Sequence, residues 1–388
     1  MTSSGPDLPP TAPVVIIGGG IMGVSTAYEL AAAGVTGVVL LDAGALGSGS
    51  TARAAGGVRA QFSDPVNVRL GLHSLRVFET FGERFGQDID FHQVGYLFLL
   101  DSGEDVASFR EAVATQQQLG VPSRLITVAE AADLSPLIST DGLLAAAYSP
   151  ADGYCSPESV VLGYATAARR LGARIIPHCP VTGIRAEAGR ITAVATAAGT
   201  ISAPAVVCTA GPWSRQVAEW AGVELPVTPL RRQVLVTGPV PGLPPRLPFT
   251  IDFGTSLYFH REGPGLLLGM SDPDETPGFK LTRSDAWLPG LSAALARRAP
   301  ALTNAGIKTG WAGLYEVSPD HNALIGESAA VSRFLYATGF SGHGFLMGPA
   351  VGEVMRDLYL GRQPFIDVTA LTADRFIASR PRPERSII

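Results

Sequence analysis

Three glycines, Gly18, Gly20 and Gly23, stand in a G-x-G-x-x-G spacing between a β-branched run, Val14-Val15-Ile16-Ile17, and a helix-like stretch from Ile21 to Ala33. The order is strand, turn, helix. The first glycine permits the tight turn, the second lets the backbone approach a pyrophosphate, and the third lets the helix pack on the strand. The helix N-terminus, at Ile21 and Met22, turns free N–H groups toward the phosphates. A second apolar run, Val38-Val39-Leu40-Leu41, ends in Asp42 and Ala43, and the Asp42 carboxylate is placed to accept hydrogen bonds from ribose hydroxyls. A bare glycine pattern is weak, but the ordered unit specifies a dinucleotide site.

The tract that follows, Gly47 to Arg59, holds small residues and only two charges. Its position straight after the ribose-binding acid marks the tract as a second segment in contact with the same ligand, since small residues allow close backbone approach. Arg59 at its end is hard to explain by packing, and its planar guanidinium suits a carboxylate.

The elements that must hold these groups are α/β in pattern. Helical spacing occurs over residues 65–86, 106–119, 156–171, 288–298 and beyond Gly344, and strand-like runs at 94–100, 143–148, 174–176, 181–185, 191–196, 205–208 and 334–340. Residues 227–315 are richer in strand-like segments, at 233–236, 256–260 and 266–270, and read as a separate, largely antiparallel sheet. Tyr258 and His260 alternate on one of these strands and share a face. The segment Ala210 to Ser214, with Gly211 and Trp213, joins a strand end to a helix start, where an open α/β sheet borders its ligand crevice.

At 388 residues the chain is long enough for two connected domains. We expect 13–75, 150–222 and 318–388 to form a discontinuous nucleotide-binding domain, 76–149 and 223–317 a substrate domain, and residues 1–12 a mobile tail. A net charge of −5 with sparse charged residues argues against nucleic acid or an anionic membrane as partner. Three widely spaced cysteines give neither a metal site nor a disulfide framework, which fits a reducing cytoplasm. No targeting pattern or membrane span is evident, so a small molecule is the expected partner.

Taken in order, Gly18 to Gly23, Asp42, Gly47 to Arg59, Ala210 to Ser214, Ser318-Pro319-Asp320-His321 and Gly339-Phe340-Ser341-Gly342-His343-Gly344-Phe345 resemble the FAD-dependent amine and amino-acid oxidoreductases of the D-amino-acid oxidase type. Within that group the chain is most similar to the β subunits of sarcosine oxidase and of bacterial proline and hydroxyproline dehydrogenases. The resemblance implies a glutathione-reductase-type FAD domain interrupted by an antiparallel-sheet substrate domain. It assigns Gly18, Gly20, Gly23 and Asp42 to the ADP part of FAD, and Ser48 to Thr51 to the pyrophosphate and ribityl chain. Val181 falls to the adenine, and Gly342, His343, Gly344, Phe345 and Leu346 to the flavin ring. Arg59 takes the place of the arginine that pairs with the substrate carboxylate, and Tyr258 and His260 become candidates to close the pocket. His343 joins the candidate catalytic residues through hydrogen bonding, not as a base.

Three departures shape the expected activity. Gly313 stands where some members attach FAD through a cysteine, so the FAD is expected to be non-covalent. Leu267 replaces a lysine that helps reduced flavin react with oxygen, which favours a dehydrogenase over an oxidase. Leu346 replaces a lysine that helps sarcosine-oxidising members hold the carboxylate, so a bulkier N-alkyl or cyclic amino acid is expected. The implied reaction is hydride transfer from the carbon next to nitrogen to flavin N5, giving an imine. A peroxide-producing amine oxidase, and a flavin-bearing subunit or assembly protein with a partner chain, remain the alternative readings; the electron acceptor is open.

Overall fold

The computed structural model describes residues 7–378 and 380–386. The β-branched runs seen in the sequence form the centre of a six-stranded sheet in the order Leu324–Glu327, Phe334–Thr338, Val206–Cys208, Val15–Ile17, Val39–Leu41, Arg174–Ile176. All neighbours are parallel except the edge strand Leu324–Glu327. Successive residues face opposite sides, and both sides are covered, which is why the central strands Val15–Ile17, Val39–Leu41 and Val206–Cys208 are uniformly apolar. Val14, Ile16 and Leu40 pack under the helices Ile21–Ala32, Pro65–Glu79, Pro157–Arg170 and Gly344–Tyr359. Val15, Ile17, Val39 and Leu41 pack under a three-stranded antiparallel sheet, Val181–Glu187, Arg190–Thr196 and Gly199–Ser202.

The second sheet has eight strands, in the order Ile307–Val317, Thr228–Thr237, Gly265–Met270, Leu257–Glu262, Phe249–Asp252, Tyr96–Leu100, Ala145–Ser149, Arg124–Ile126. It is antiparallel apart from the pairing of Phe249–Asp252 with Tyr96–Leu100. One face, with Leu235, Phe259 and Leu268, is covered by the helix Leu288–Arg298. The other, with Tyr96, Val234, Phe249, Ile251, Tyr258 and Leu267, turns toward the first sheet.

Two expectations need correction. The helix expected over 65–86 is broken in two: Pro65–Glu79 ends at Thr80, and a second, five-residue helix, Phe81–Phe85, follows and stops at Gly86 in a left-handed conformation. Of the expected tail, residues 1–6 lie outside the described residues, but 10–12 are not free. The Ala12 amide donates to the Ser202 carbonyl at 2.9 Å and the Ser202 amide to that of Pro10 at 3.0 Å, so this stretch covers the edge of the three-stranded sheet. Among the described residues, no helix is long and apolar enough to cross a membrane.

Candidate active site

A cavity of about 940 Å³ runs from the glycine turn to the inner face of the eight-stranded sheet, near the top of the roughly 300–1,000 Å³ range of small-molecule sites. At one end lie Gly18, Gly20, Ile21 and Met22. Gly18 has φ of +111°, and a Cβ there would strike the Thr209 carbonyl, while a Cβ on Gly23 would strike the carbonyl of Gly18. The turn is therefore built for glycine at both places. Thr51 Oγ1 accepts from the Ile21 amide at 3.2 Å, so the small-residue tract closes directly on the helix N-terminus. Asp42 and Ala43 line the same end. The Asp42 carboxylate accepts from the Gly19 amide at 2.5 Å and the Gly44 amide at 2.7 Å, which fixes the acid and the glycine turn in one frame.

Ser48, Gly49 and Ser50 continue the wall, with Val181 and its neighbours Cys179 and Pro180 beside them. The Ser50 hydroxyl donates to the Leu314 carbonyl at 2.7 Å, tying this tract to the second sheet. Gly211 and Trp213 form the facing wall, and Trp213 stacks on Phe279 with ring centroids 5.5 Å apart.

The middle of the cavity is bounded by Gly342, His343, Gly344, Phe345 and Leu346 at the start of the helix Gly344–Tyr359. His343 is buried, burial pushes its pKa down to about 3, and neither ring nitrogen has a partner among the described residues. The imidazole is thus a neutral group with an unspent donor beside a helix N-terminus. Glu316 lies close by; its carboxylate accepts from the Thr338 hydroxyl at 2.6 Å and the Gly339 amide at 3.0 Å, and burial raises its pKa to about 7.

The far end is a chamber walled by Arg59, Tyr96, Arg232, Phe249, Tyr258 and Tyr315. Burial raises the pKa of all three tyrosines, so they stay neutral and able to donate. The Arg59 guanidinium lies 4.0 Å from the Phe62 ring centroid. Its Nη1 donates to the Gln61 carbonyl and its Nη2 to the Ser386 carbonyl, the latter at 2.7 Å. These two bonds hold the guanidinium in the chamber wall and leave its remaining N–H groups, Nε among them, for a ligand.

His260 does not reach the cavity. Its Nδ1 lies 2.8 Å from the Arg261 carbonyl and Nε2 2.9 Å from that of Ala55, the ring packs on Tyr154, and burial lowers its pKa to about 4. It shares a sheet face with Tyr258, as its alternation implies, but the chamber ends at Tyr258 and main chain fills the next position. Sequence reasoning missed Tyr96, Arg232, Tyr315 and Glu316, which come from three separate strands. Only their membership of strands pairing across one sheet brings them together.

The residues fit FAD: a glycine cradle that a Cβ would fill, an acid at the end of the second strand, and an orphaned buried imidazole at a helix N-terminus. The fold and cradle define a flavin-dependent oxidoreductase. The chain belongs to the DAO family of FAD dependent oxidoreductases, whose model matches residues 13–358. It is 31% identical to the mitochondrial sarcosine dehydrogenase of Homo sapiens, over 95% of this chain and 42% of that protein. It is also 31% identical to the mitochondrial dimethylglycine dehydrogenase of Rattus norvegicus, over 96% of this chain and 46% of that one. The chain thus spans less than half the length of these relatives. Among solved structures it is similar to an L-proline dehydrogenase from P. horikoshii, with a TM-score of 0.90 and 34% identity over 97% of this chain and 100% of the other.

Proposed function

We propose that the protein oxidises an N-alkyl or cyclic amino acid, acting as a dehydrogenase. The observation that carries this reading is the continuity of one cavity from the glycine cradle to a tyrosine- and arginine-walled chamber on the second sheet. Sarcosine, dimethylglycine and L-proline, named for the relatives, are all N-alkylated amino acids. FAD, when bound, supplies the two-electron acceptor for a hydride from the carbon next to nitrogen.

The chain's own residues do the rest. Phe249, Ile251 and Tyr258 exclude water from the chamber. Neutral tyrosines and the Arg59 charge orient an amino acid whose amine enters unprotonated, so no strong base is required. His343 stays neutral and offers one N–H to the ring, and the helix behind it favours negative charge there.

Leu267, buried on the cavity-facing side of the second sheet, supports the dehydrogenase reading, because no cation is fixed at that position. The domain division is part of the proposal: every strand of the six-stranded sheet falls within 13–75, 150–222 or 318–388, and every strand of the eight-stranded sheet within 76–149 or 223–317. A reducing compartment such as the cytoplasm accords with three buried, unpaired cysteines.

The test is anaerobic titration of the flavin-loaded protein with sarcosine, dimethylglycine, L-proline and hydroxyproline, followed by air. Bleaching by one of them with slow recolouring supports the proposal. Fast recolouring with peroxide would make the protein an oxidase, and no bleaching by any would remove the amine reading.

A further inference from the structure

Two buried aspartates of this chain are neutralised by arginine: Asp252 meets Arg298 Nε and Asp320 meets Arg375 Nε, each at 2.8 Å. Glu316, on the strand Ile307–Val317, lines the cofactor cavity without such a partner. No lysine, arginine or histidine makes an ion pair with it among the described residues. The Thr338 hydroxyl at 2.6 Å and the Gly339 amide at 3.0 Å both donate to Oε2, and the Phe340 amide lies near the same carboxyl. Thr338 also reaches the Gly211 carbonyl, at 3.2 Å, so its shorter contact is the one with Glu316.

The charged and titratable groups around Glu316 do not compensate it. Tyr315 precedes it on the same strand, Arg232 faces Gly313 from the strand Thr228–Thr237, and Arg53 Nη1 is bound to the Ala312 carbonyl. Cys208, at the end of its strand, and His343 complete the set. Burial keeps the tyrosine, the thiol and the imidazole neutral. An isolated buried carboxylate is costly, and holding a proton removes that cost. With its donors gathered on Oε2, the proton belongs on Oε1, and a protonated carboxyl is an O–H donor. Gly211 stands beside the carboxyl, and the Ser341 amide donates to the Glu316 carbonyl at 3.1 Å. Glu316 therefore lies between the wall formed by Gly211 and the segment Gly342 to Leu346, where the cavity passes from the glycine cradle to the ring end.

We propose that Glu316 is a cofactor-binding acid that carries a proton on Oε1, donates it in a hydrogen bond to the ribityl chain of FAD, and so couples FAD binding to uptake of one proton from solvent. The inference concerns the cofactor and does not depend on which amine is oxidised. Once Glu316 ionises, the donor is lost and a negative charge is left in the cavity, and FAD is held less tightly.

The experiment dilutes the flavin-loaded protein between pH 6 and pH 8.5 and reads released FAD by its fluorescence. Burial places the Glu316 pKa at about 7 with the cavity empty, and FAD binding moves it further up. Wild-type affinity then falls by roughly tenfold for each pH unit above about 7. Glu316→Gln keeps an acceptor and a donor but cannot ionise, so its affinity matches the wild type at pH 6 and stays flat. Glu316→Ala is also flat but weaker at pH 6 by roughly 3- to 10-fold, the worth of one neutral hydrogen bond. Infrared spectra of the flavin-loaded wild type at pH 8 show a protonated-carboxyl band that Glu316→Gln lacks. The same pH dependence in Glu316→Gln, a flat wild-type profile, full affinity in Glu316→Ala at pH 6, or absence of that band would each overturn the proposal.

Discussion

The carboxylate of Asp42 receives the amide of Gly19 at 2.5 Å, so the acid at the end of the second strand also holds the glycine turn at the end of the first. Its other oxygen receives the Gly44 amide. One side chain therefore fixes the turn in the conformation that a pyrophosphate requires, before any ligand arrives.

Asp42→Ala releases both amides and removes the acceptor for the ribose. FAD affinity is expected to fall by roughly 10- to 100-fold, the worth of one or two charge-assisted hydrogen bonds. Asp42→Asn retains an acceptor and falls between the two. Flavin fluorescence titration of the apoprotein measures this, and equal affinity in Asp42→Ala would show that the turn needs no such support.

Leu267→Lys places a cation at a position on the cavity-facing side of the second sheet that is apolar in this chain. Reoxidation of the reduced protein by oxygen is expected to accelerate by roughly tenfold or more, because fixed positive charge stabilises charge developing on oxygen. Stopped-flow mixing with aerated buffer reads the rate directly. No change would mean that the leucine is not what favours an acceptor other than oxygen.

Glu316 carries the clearest pH signature near the site. Burial raises its pKa from the usual carboxylate range to about 7, so the folded protein holds a proton that the unfolded chain releases at lower pH. Its contribution to stability is full below about pH 4.5 and is lost as pH rises through about 7. Glu316→Gln is expected to gain stability over the wild type progressively between those limits. Thermal midpoints of both proteins at pH 5 and pH 8 test the sign, and a constant difference would place no titration there.

Glu384 ties residues 382–386 to the chamber. Its carboxylate accepts from the Ser63 amide at 2.8 Å and hydroxyl at 2.6 Å, the Asp64 amide at 3.1 Å and Asn67 Nδ2 at 2.9 Å. Two residues on, the Ser386 carbonyl receives Arg59 Nη2. Glu384→Ala leaves these buried donors unpaired and is expected to cost about 3 kcal/mol or more. Chemical unfolding measures it, and a loss under about 1 kcal/mol would mean that water replaces the carboxylate without penalty.

The nucleotide end of the site was legible in the chain because its determinants are local. Gly18, Gly20 and Gly23, the two β-branched runs and Asp42 lie in one continuous unit, where turn chemistry and periodicity decide the conformation. The short final strand and the helix after His343 were legible for the same reason. The sequence reading did not single out Ile307–Val317, although it pairs along the length of Thr228–Thr237, since its buried residues give no clean alternation. It also left the strands Phe249–Asp252, Arg124–Ile126 and Leu324–Glu327 unread.

By itself, the sequence determined the flavin-binding unit and the two-sheet plan, because short-range steric rules and burial patterns act within a few residues. The tertiary structure alone decided which groups face the substrate. His260 is turned into main chain and Arg59 is held in place by two carbonyls, while Arg232, Tyr96 and Tyr315 are gathered from separate strands into one wall. Side-chain partners of this kind follow from strand order and register, and those are fixed by contacts between segments far apart in the chain.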